Sequence, residues 1–187
     1  KMKEAWGLFL DSPAELILHG EHINSELTPP PIYEEYFLPY FQEFAKALHG
    51  RGKKLAFHLD ADTSGLLSLV KDSGCDVADC FATAPLVSQE LSEARSVWGK
   101  DVTIWGGVPS TVLVPSYSGE KFKSYMGDMF EVIKPGDAFI LGVADNVLPN
   151  TDFKRVETIS DLVREYGRTP LNVSRDEVVD FLDDRGY

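Results

Sequence analysis

Short apolar runs of strand length recur along the chain, and between each pair lies a segment with helical spacing, which restricts the fold to one built of βα units. The runs fall at residues 15–20 (E-L-I-L-H-G), 53–58 (K-K-L-A-F-H), 76–81 (D-V-A-D-C-F), 101–105 (D-V-T-I-W) and 137–143 (D-A-F-I-L-G-V). Between the first two, Ile32, Tyr36, Phe37, Tyr40, Phe41, Phe44, Ala45 and Leu48 repeat at helical spacing and predict an amphipathic helix over 32–50, kinked or broken at Pro39. Further helices are expected over 64–73, 87–98, 120–133 and 152–166, three of them followed by a glycine (Gly74, Gly99, Gly167). A short acidic helix over 174–184 opens on a capping box of Ser174 and Glu177. Parallel strands need crossover helices and covered faces, so five such units form either an open doubly wound sheet or part of a closed barrel. Periodicity does not choose between the two. No G-x-G-x-x-G or G-x-x-x-x-G-K-[ST] follows any run, however, which removes the main support for a nucleotide-binding open sheet.

The 187 residues, 43% hydrophobic and 26% charged, are expected to form a single domain over 1–187. Against 18 Lys and Arg stand 30 Asp and Glu. The formal charge of −12 repels phosphate backbones and anionic lipid alike, so neither nucleic acid nor a membrane is an expected partner. No run approaches the roughly 18 apolar residues of a membrane span, and Lys1, Met2, Lys3 and Glu4 lack the layout of a signal peptide; a cytoplasmic protein is expected. Cys75 and Cys80 match neither a disulfide framework nor a four-thiolate zinc site, and both are expected to be reduced.

The polar groups with chemical potential concentrate just after the apolar runs. Glu21, His22 and Asn24 follow the first; His58, Asp60 and Asp62 end the second; Asp79 and Cys80 end the third; Asp145 and Asn146 follow the fifth. A (β/α)8 barrel carries its chemistry at the C-terminal strand ends, because all those loops converge over one mouth. In His58-x-Asp60 two residues of one strand point to the same face, so an imidazole and a carboxylate reach one ion or one small-molecule substrate. With Asp145 and Glu21 arriving from other strands, Glu21, His58, Asp60 and Asp145 form the candidate catalytic set. The same four are candidate ligands for zinc in an oxygen-rich shell or for another divalent metal. His22, Asp62, Asp79 and Asn146 are candidate substrate-binding groups, as are Gly106 and Gly107, where a ligand can approach the backbone closely.

Structural roles compete at each position. Glu21 can cap a loop, Asp62 or Thr63 can be an N-cap, and Asp145 can close a turn. Strand alternation sets Cys80 on the face opposite Val77, Asp79 and Phe81, which predicts a buried structural cysteine. His19 and His49 are expected to be structural, and Trp98 and Trp105 to be core or pocket wall.

The order of these motifs resembles the uroporphyrinogen decarboxylase superfamily, which includes cobalamin-linked methyltransferases. The stretch T-P-P-P-I-Y-E-E-Y-F-L-P-Y-F-Q-E-F-A-K-A-L-H-G-R-G-K-K-L-A-F-H-L-D-A-D is similar to the segment in which a helix leads through R-G-K to a strand and a His-x-Cys-Gly-Asn-like turn. G-C-D-V-A-D-C-F resembles the strand after G-x-D-V, and I-W-G-G-V-P-S the Gly-Asn-x-x-Pro loop. F-I-L-G-V-A-D-N-V-L-P-N-T is similar to the closing strand and its Gly-Cys-x-x-Pro-x-x-Thr-Pro turn, so that the likeness extends over about residues 16–166. In the thiol-specific methyltransferases of this superfamily the zinc ligands lie at His-x-Cys and at the later Gly-Cys. The matching positions are His58, Asp60 and Asp145, so both thiolates are carboxylates in this chain. That departure argues against thiol activation and leaves a Glu/His/Asp metal site, as would suit demethylation of methoxy or methylamine compounds.

The resemblance implies an α/β fold, a partial (β/α)8 TIM barrel with about five parallel βα units from the C-terminal half, the N-terminal part being absent. It implies metal-assisted methyl transfer from a small O- or N-methyl substrate to a corrinoid carried by a partner protein. Cofactor-free decarboxylation of uroporphyrinogen or another small carboxylic acid is the enzymatic alternative, and a non-catalytic fragment or binding module is the other. Five units leave unpaired sheet edges, so a homodimer or the missing N-terminal half is expected to cover them, and the fragment alone is expected to be inactive.

Overall fold

The computed structural model describes residues 2–187. Five strands alternate with helices in the expected order: β1 (Leu16–His19), β2 (Lys54–His58), β3 (Val77–Phe81), β4 (Thr103–Pro109) and β5 (Phe139–Ala144). The helices are α1 (Met2–Asp11), α2 (Pro30–Ile32), α3 (Leu38–His49), α4 (Leu67–Asp72), α5 (Leu91–Trp98), α6 (Gly119–Val132), α7 (Phe153–Tyr166) and α8 (Arg175–Asp183). None of them is long and apolar enough to cross a membrane.

All four strand pairings are parallel and the spatial order is β1-β2-β3-β4-β5, the same as the chain order. A doubly wound sheet reverses direction at a switch point; a sheet that adds each new strand on the same side is a barrel arc. The arc is open, with β1 and β5 as its outer strands.

One face of the sheet is buried under the helices. Ile17, Leu55, Phe57, Ala78 and Ile104 point to that side, and Phe41, Phe44 and Leu48 of α3 pack down on them, with the Phe41 and Phe57 rings 4.5 Å apart. The other face is open. Leu16, Leu18, Trp105 and Ile140 are between 40% and 53% exposed there, an apolar stripe that an ordinary surface does not carry. Trp98 is fully buried instead, its indole nitrogen donating to the Leu67 carbonyl at 2.7 Å.

Three local departures from the periodic pattern have physical causes. Pro39 carries no N–H for the Glu35 carbonyl, and the turn before it widens into a π-helix over Tyr33–Phe37 before α3 begins. The helix expected from residue 87 starts only at Leu91, because the preceding residues are held in a loop: the Ser88 amide donates to Asp62 and the Gln89 amide group to the Ala82 carbonyl. Strand β4 runs through Gly106 and Gly107 to Pro109, since both glycines still pair with β5. The capping box at Ser174 and Glu177 forms as the sequence implies.

Arg155 on α7 fixes the turn after β4. Its guanidinium is buried and donates to the carbonyls of Val112 (2.6 Å), Val114 (3.0 Å) and Tyr117 (2.7 Å). Arg155→Met keeps the apolar stem but leaves those carbonyls without their donor. It is expected to lower the unfolding free energy by about 3 kcal/mol, read as a lower urea midpoint at unchanged slope.

Candidate functional site

The parallel register brings the end of β2 beside the end of β3, His58 directly opposite Asp79. The imidazole Nδ1 lies 2.9 Å from the Asp79 carboxylate, and Nε2 lies 3.5 Å from Asp60 two residues on. Asp60 in turn stands 3.4 Å from Nδ1 of His22, which arrives on the loop after β1. Two imidazoles and two carboxylates from three chain segments thus meet over one rim, and the side chains of His58, Asp60 and Asp79 are each less than one-third exposed. Histidine held between carboxylates is a common arrangement for fixing ring orientation and proton position.

Cys80 is where the sequence expectation fails. Pairing between β3 and β4 is regular at Ala78↔Ile104 and resumes at Phe81↔Gly106, so two β3 residues oppose the single residue Trp105. The extra residue is a β-bulge, and it reverses the side-chain parity on which the buried, structural assignment rested. Cys80 takes a φ of +53°, is half-buried, and turns to the rim. There His58, Asp79 and Cys80 each offer a ligand atom, and the three atoms lie within 4.8 Å of one another. Burial and the neighbouring Asp79 carboxylate raise the pKa of the thiol, while a backbone hydrogen bond from Asp145 favours the thiolate.

Gly106 makes the bulge possible. A Cβ at that position would stand 2.7 Å from the Phe81 nitrogen, and its φ of +140° is one that L side chains rarely adopt. At Gly107 a Cβ would meet Met129 and Phe139 at 2.9 Å. The close approach that this glycine pair allows is therefore made by the protein's own backbone and side chains.

The remaining candidates divide into two groups. Asp145, at φ +59° after β5, is exposed, and its carboxylate accepts from the Asn146 side chain at 2.8 Å. Together with Asn24, Glu26, Asp60 and Asp62 it lines a cleft of about 460 Å³ over the strand ends. Glu21 turns elsewhere: its carboxylate lies 3.9 Å from Nδ1 of His19 and lines a second cleft, of about 290 Å³, with Phe9, Tyr40 and Phe44. His19 itself packs edge-on against Phe41 at 5.0 Å, and burial lowers its pKa against the opposing charge of Glu21. His49 pairs with Asp76 at 2.7 Å, away from the rim.

Asp62 sits in the large cleft but is held by the loops around it. One carboxylate oxygen accepts from the amide and hydroxyl of Ser64, the other from the amide and hydroxyl of Ser88. Beside it, the side-chain oxygen Oε1 of buried Gln89 accepts from the Thr63 amide at 2.7 Å and hydroxyl at 2.8 Å. These bonds tie the loop after β2 to the loop after β3 and so fix the cleft floor.

The sequence model of the uroporphyrinogen decarboxylase (URO-D) family matches residues 5–166. No curated protein gives a significant match. Among solved structures, a methyltransferase from Methanosarcina mazei is similar at a TM-score of 0.63 and 18% identity, over 88% of this chain and 47% of that one. This chain thus spans about half the length of that protein. At such an identity the likeness shows the fold, and with the sequential parallel order it identifies the sheet as part of a TIM barrel.

Burial disfavours the charge on Asp62, but the hydrogen bonds from Ser88 and Ser64 outweigh it and bring the carboxyl down to about 2. A depressed folded-state pKa stabilises fully above the unfolded value of about 3.9, and the contribution is lost as pH falls through about 2. Asp62→Ala is therefore expected to cost about 1–2 kcal/mol near neutrality. Urea titrations of the two proteins from pH 6 downward should show a constant gap that begins to close below about pH 4.

Proposed function

Because the chain belongs to the uroporphyrinogen decarboxylase family, we propose that it supplies part of the active site of a barrel methyltransferase, one that moves a methyl group from a small O- or N-methyl substrate to a corrinoid on a partner protein. The observation that carries this reading is the convergence of His58, Asp60, Asp79 and Cys80 from two neighbouring strands on one rim, beside an acidic cleft. Of the side chains lining that cleft, Glu26, Asp60, Asp62 and Asp145 are acidic and none is basic. Such a field attracts a divalent cation and a cationic methylamine, and it repels a polycarboxylate. This charge is the reason to favour methyl transfer over decarboxylation of a carboxylated tetrapyrrole.

The donor set fits a divalent metal: an imidazole, carboxylates and a thiol are the groups that zinc takes. His58 is the ligand common to every grouping of these residues. An ion bound at this rim would supply Lewis acidity toward a heteroatom that still carries a lone pair, an ether oxygen or an unprotonated amine nitrogen. That heteroatom keeps the bonding pair as the methyl leaves, so a methylamine that arrived protonated departs as the neutral amine, whereas an ether oxygen departs as an alkoxide that must take up a proton. Asp60, within reach of both His58 and His22, is placed to hold a proton for it. Loops on other strands complete a barrel mouth, and the apolar stripe of Leu16, Leu18, Trp105 and Ile140 gives further βα units, from a longer chain or a second copy, a face to cover.

In an assay with methylamines or methoxy compounds as donor and reduced cobalamin as acceptor, the completed barrel is expected to methylate the corrinoid. His58→Ala should lower the rate at least about 100-fold. Metal-independent turnover of uroporphyrinogen, with no methyl transfer from any donor, would replace this reading by the decarboxylase one.

A further inference from the structure

His58, Asp79 and Cys80 bring a nitrogen, an oxygen and a sulfur together at one point of the rim, from adjacent ends of β2 and β3. We propose that these three residues hold the divalent metal, that the metal is zinc, and that Asp60 and Asp145 support the ligands without binding it. This deepens the reading above and rests on it for the use to which the metal is put; the ligand set itself stands on the geometry.

Around a tetrahedral zinc the ligand atoms stand about 3.3–3.8 Å apart, given bonds of about 2.0–2.3 Å. The present separations are all within 4.8 Å, so binding has at most about 1.5 Å to close between any two ligand atoms. A thiolate in the set selects zinc over magnesium or calcium, which prefer oxygen. Three protein ligands leave a fourth position for substrate, the pattern of catalytic rather than structural zinc. When the Zn–S bond forms, the thiol proton leaves to solvent and the sulfur binds as thiolate.

The residues displaced from the ligand set have other work visible in the structure. If Nδ1 of His58, the nitrogen beside Asp79, faces the metal, Nε2 faces the Asp60 carboxylate 3.5 Å away. A carboxylate behind a ligating histidine fixes its ring and tautomer. The Asp145 backbone is hydrogen-bonded to Cys80 and so holds the sulfur in place, and the Asp145 carboxylate is engaged by Asn146. Glu21 is directed toward His19. Gly106 enters as a positioning residue, because without its vacant Cβ position the bulge could not aim Cys80 at His58.

The metal-stripped chain titrated with cobalt(II) is expected to develop a thiolate-to-cobalt charge-transfer band in the near ultraviolet. Cys80→Ser should abolish the band and weaken zinc binding at least about ten-fold, whereas Cys75→Ser, at the other cysteine, should retain both. In the unmutated chain, zinc should protect Cys80 from alkylation by iodoacetamide, read by peptide mass spectrometry, which keeps the test independent of any variant's folding. Absence of metal binding, cobalt bound without a thiolate band, or alkylation of Cys80 indifferent to zinc would each overturn the ligand set. Zinc bound through Cys80 in a protein that transfers no methyl group would leave this inference standing and remove the proposed reaction. Methyl transfer undiminished in Cys80→Ser would do the reverse.

Discussion

Every strand of this sheet runs the same way, and that single constraint organises the molecule. A crossover helix returns the chain to the edge where the previous strand began, so five successive strands end on one rim and their five following loops share it. Groups as distant in sequence as His22, His58, Cys80 and Asp145 become neighbours on that rim, and the contacts of His58 with Asp79 and of His22 with Asp60 form there rather than creating it. The energy that sets their positions comes from Phe41, Phe44, Phe57, Ile104 and Trp98, buried on the opposite side of the strands from the rim chemistry.

On that frame the bulge at Asp79 and Cys80 is a small perturbation with a large local effect. One additional residue between two regular pairings turns a side chain from the helix-covered face to the rim, and the strand accepts it because Gly106 offers no side chain to collide with. Of the three non-glycine residues with left-handed backbone, two, Cys80 and Asp145, lie at this rim, and the third, Ala138, precedes β5. Backbone in sparsely populated regions tends to persist where the surrounding structure over-determines it, as the paired strands on either side do here.

Charge and loop anchoring act together around the cleft. The excess of carboxylates that gives the chain its net charge of −12 is locally concentrated in Glu26, Asp60, Asp62 and Asp145. Of these, Asp62 is committed to four donors from Ser64 and Ser88, and with Gln89 it makes the floor rigid. Asp60 keeps its carboxylate turned to two histidines. Asp62 thus acts through the loops it anchors, while Asp60 faces the cleft and the two imidazoles.

Local order was written in the amino-acid sequence: five strands, their helices, the break at Pro39, the capping box at Ser174, and the placing of polar groups after strands all follow from periodicity, proline geometry and cap chemistry, which act over a few residues. Regular strand alternation puts His58 and Asp79 on a foreseeable face, whereas β2 ends at His58, so Asp60, expected on the same strand, reaches the imidazole from the loop that follows. Periodicity could not tell a barrel arc from an open sheet, since strand order is a relation between segments; the sequential pairing decided it. Nor could it reveal Cys80, because a bulge is a mismatch between two paired strands and becomes visible only when β3 lies against Gly106 of β4. The turning of Glu21 to His19 was likewise settled by packing around Tyr40 and Phe44, contacts that no short-range pattern encodes.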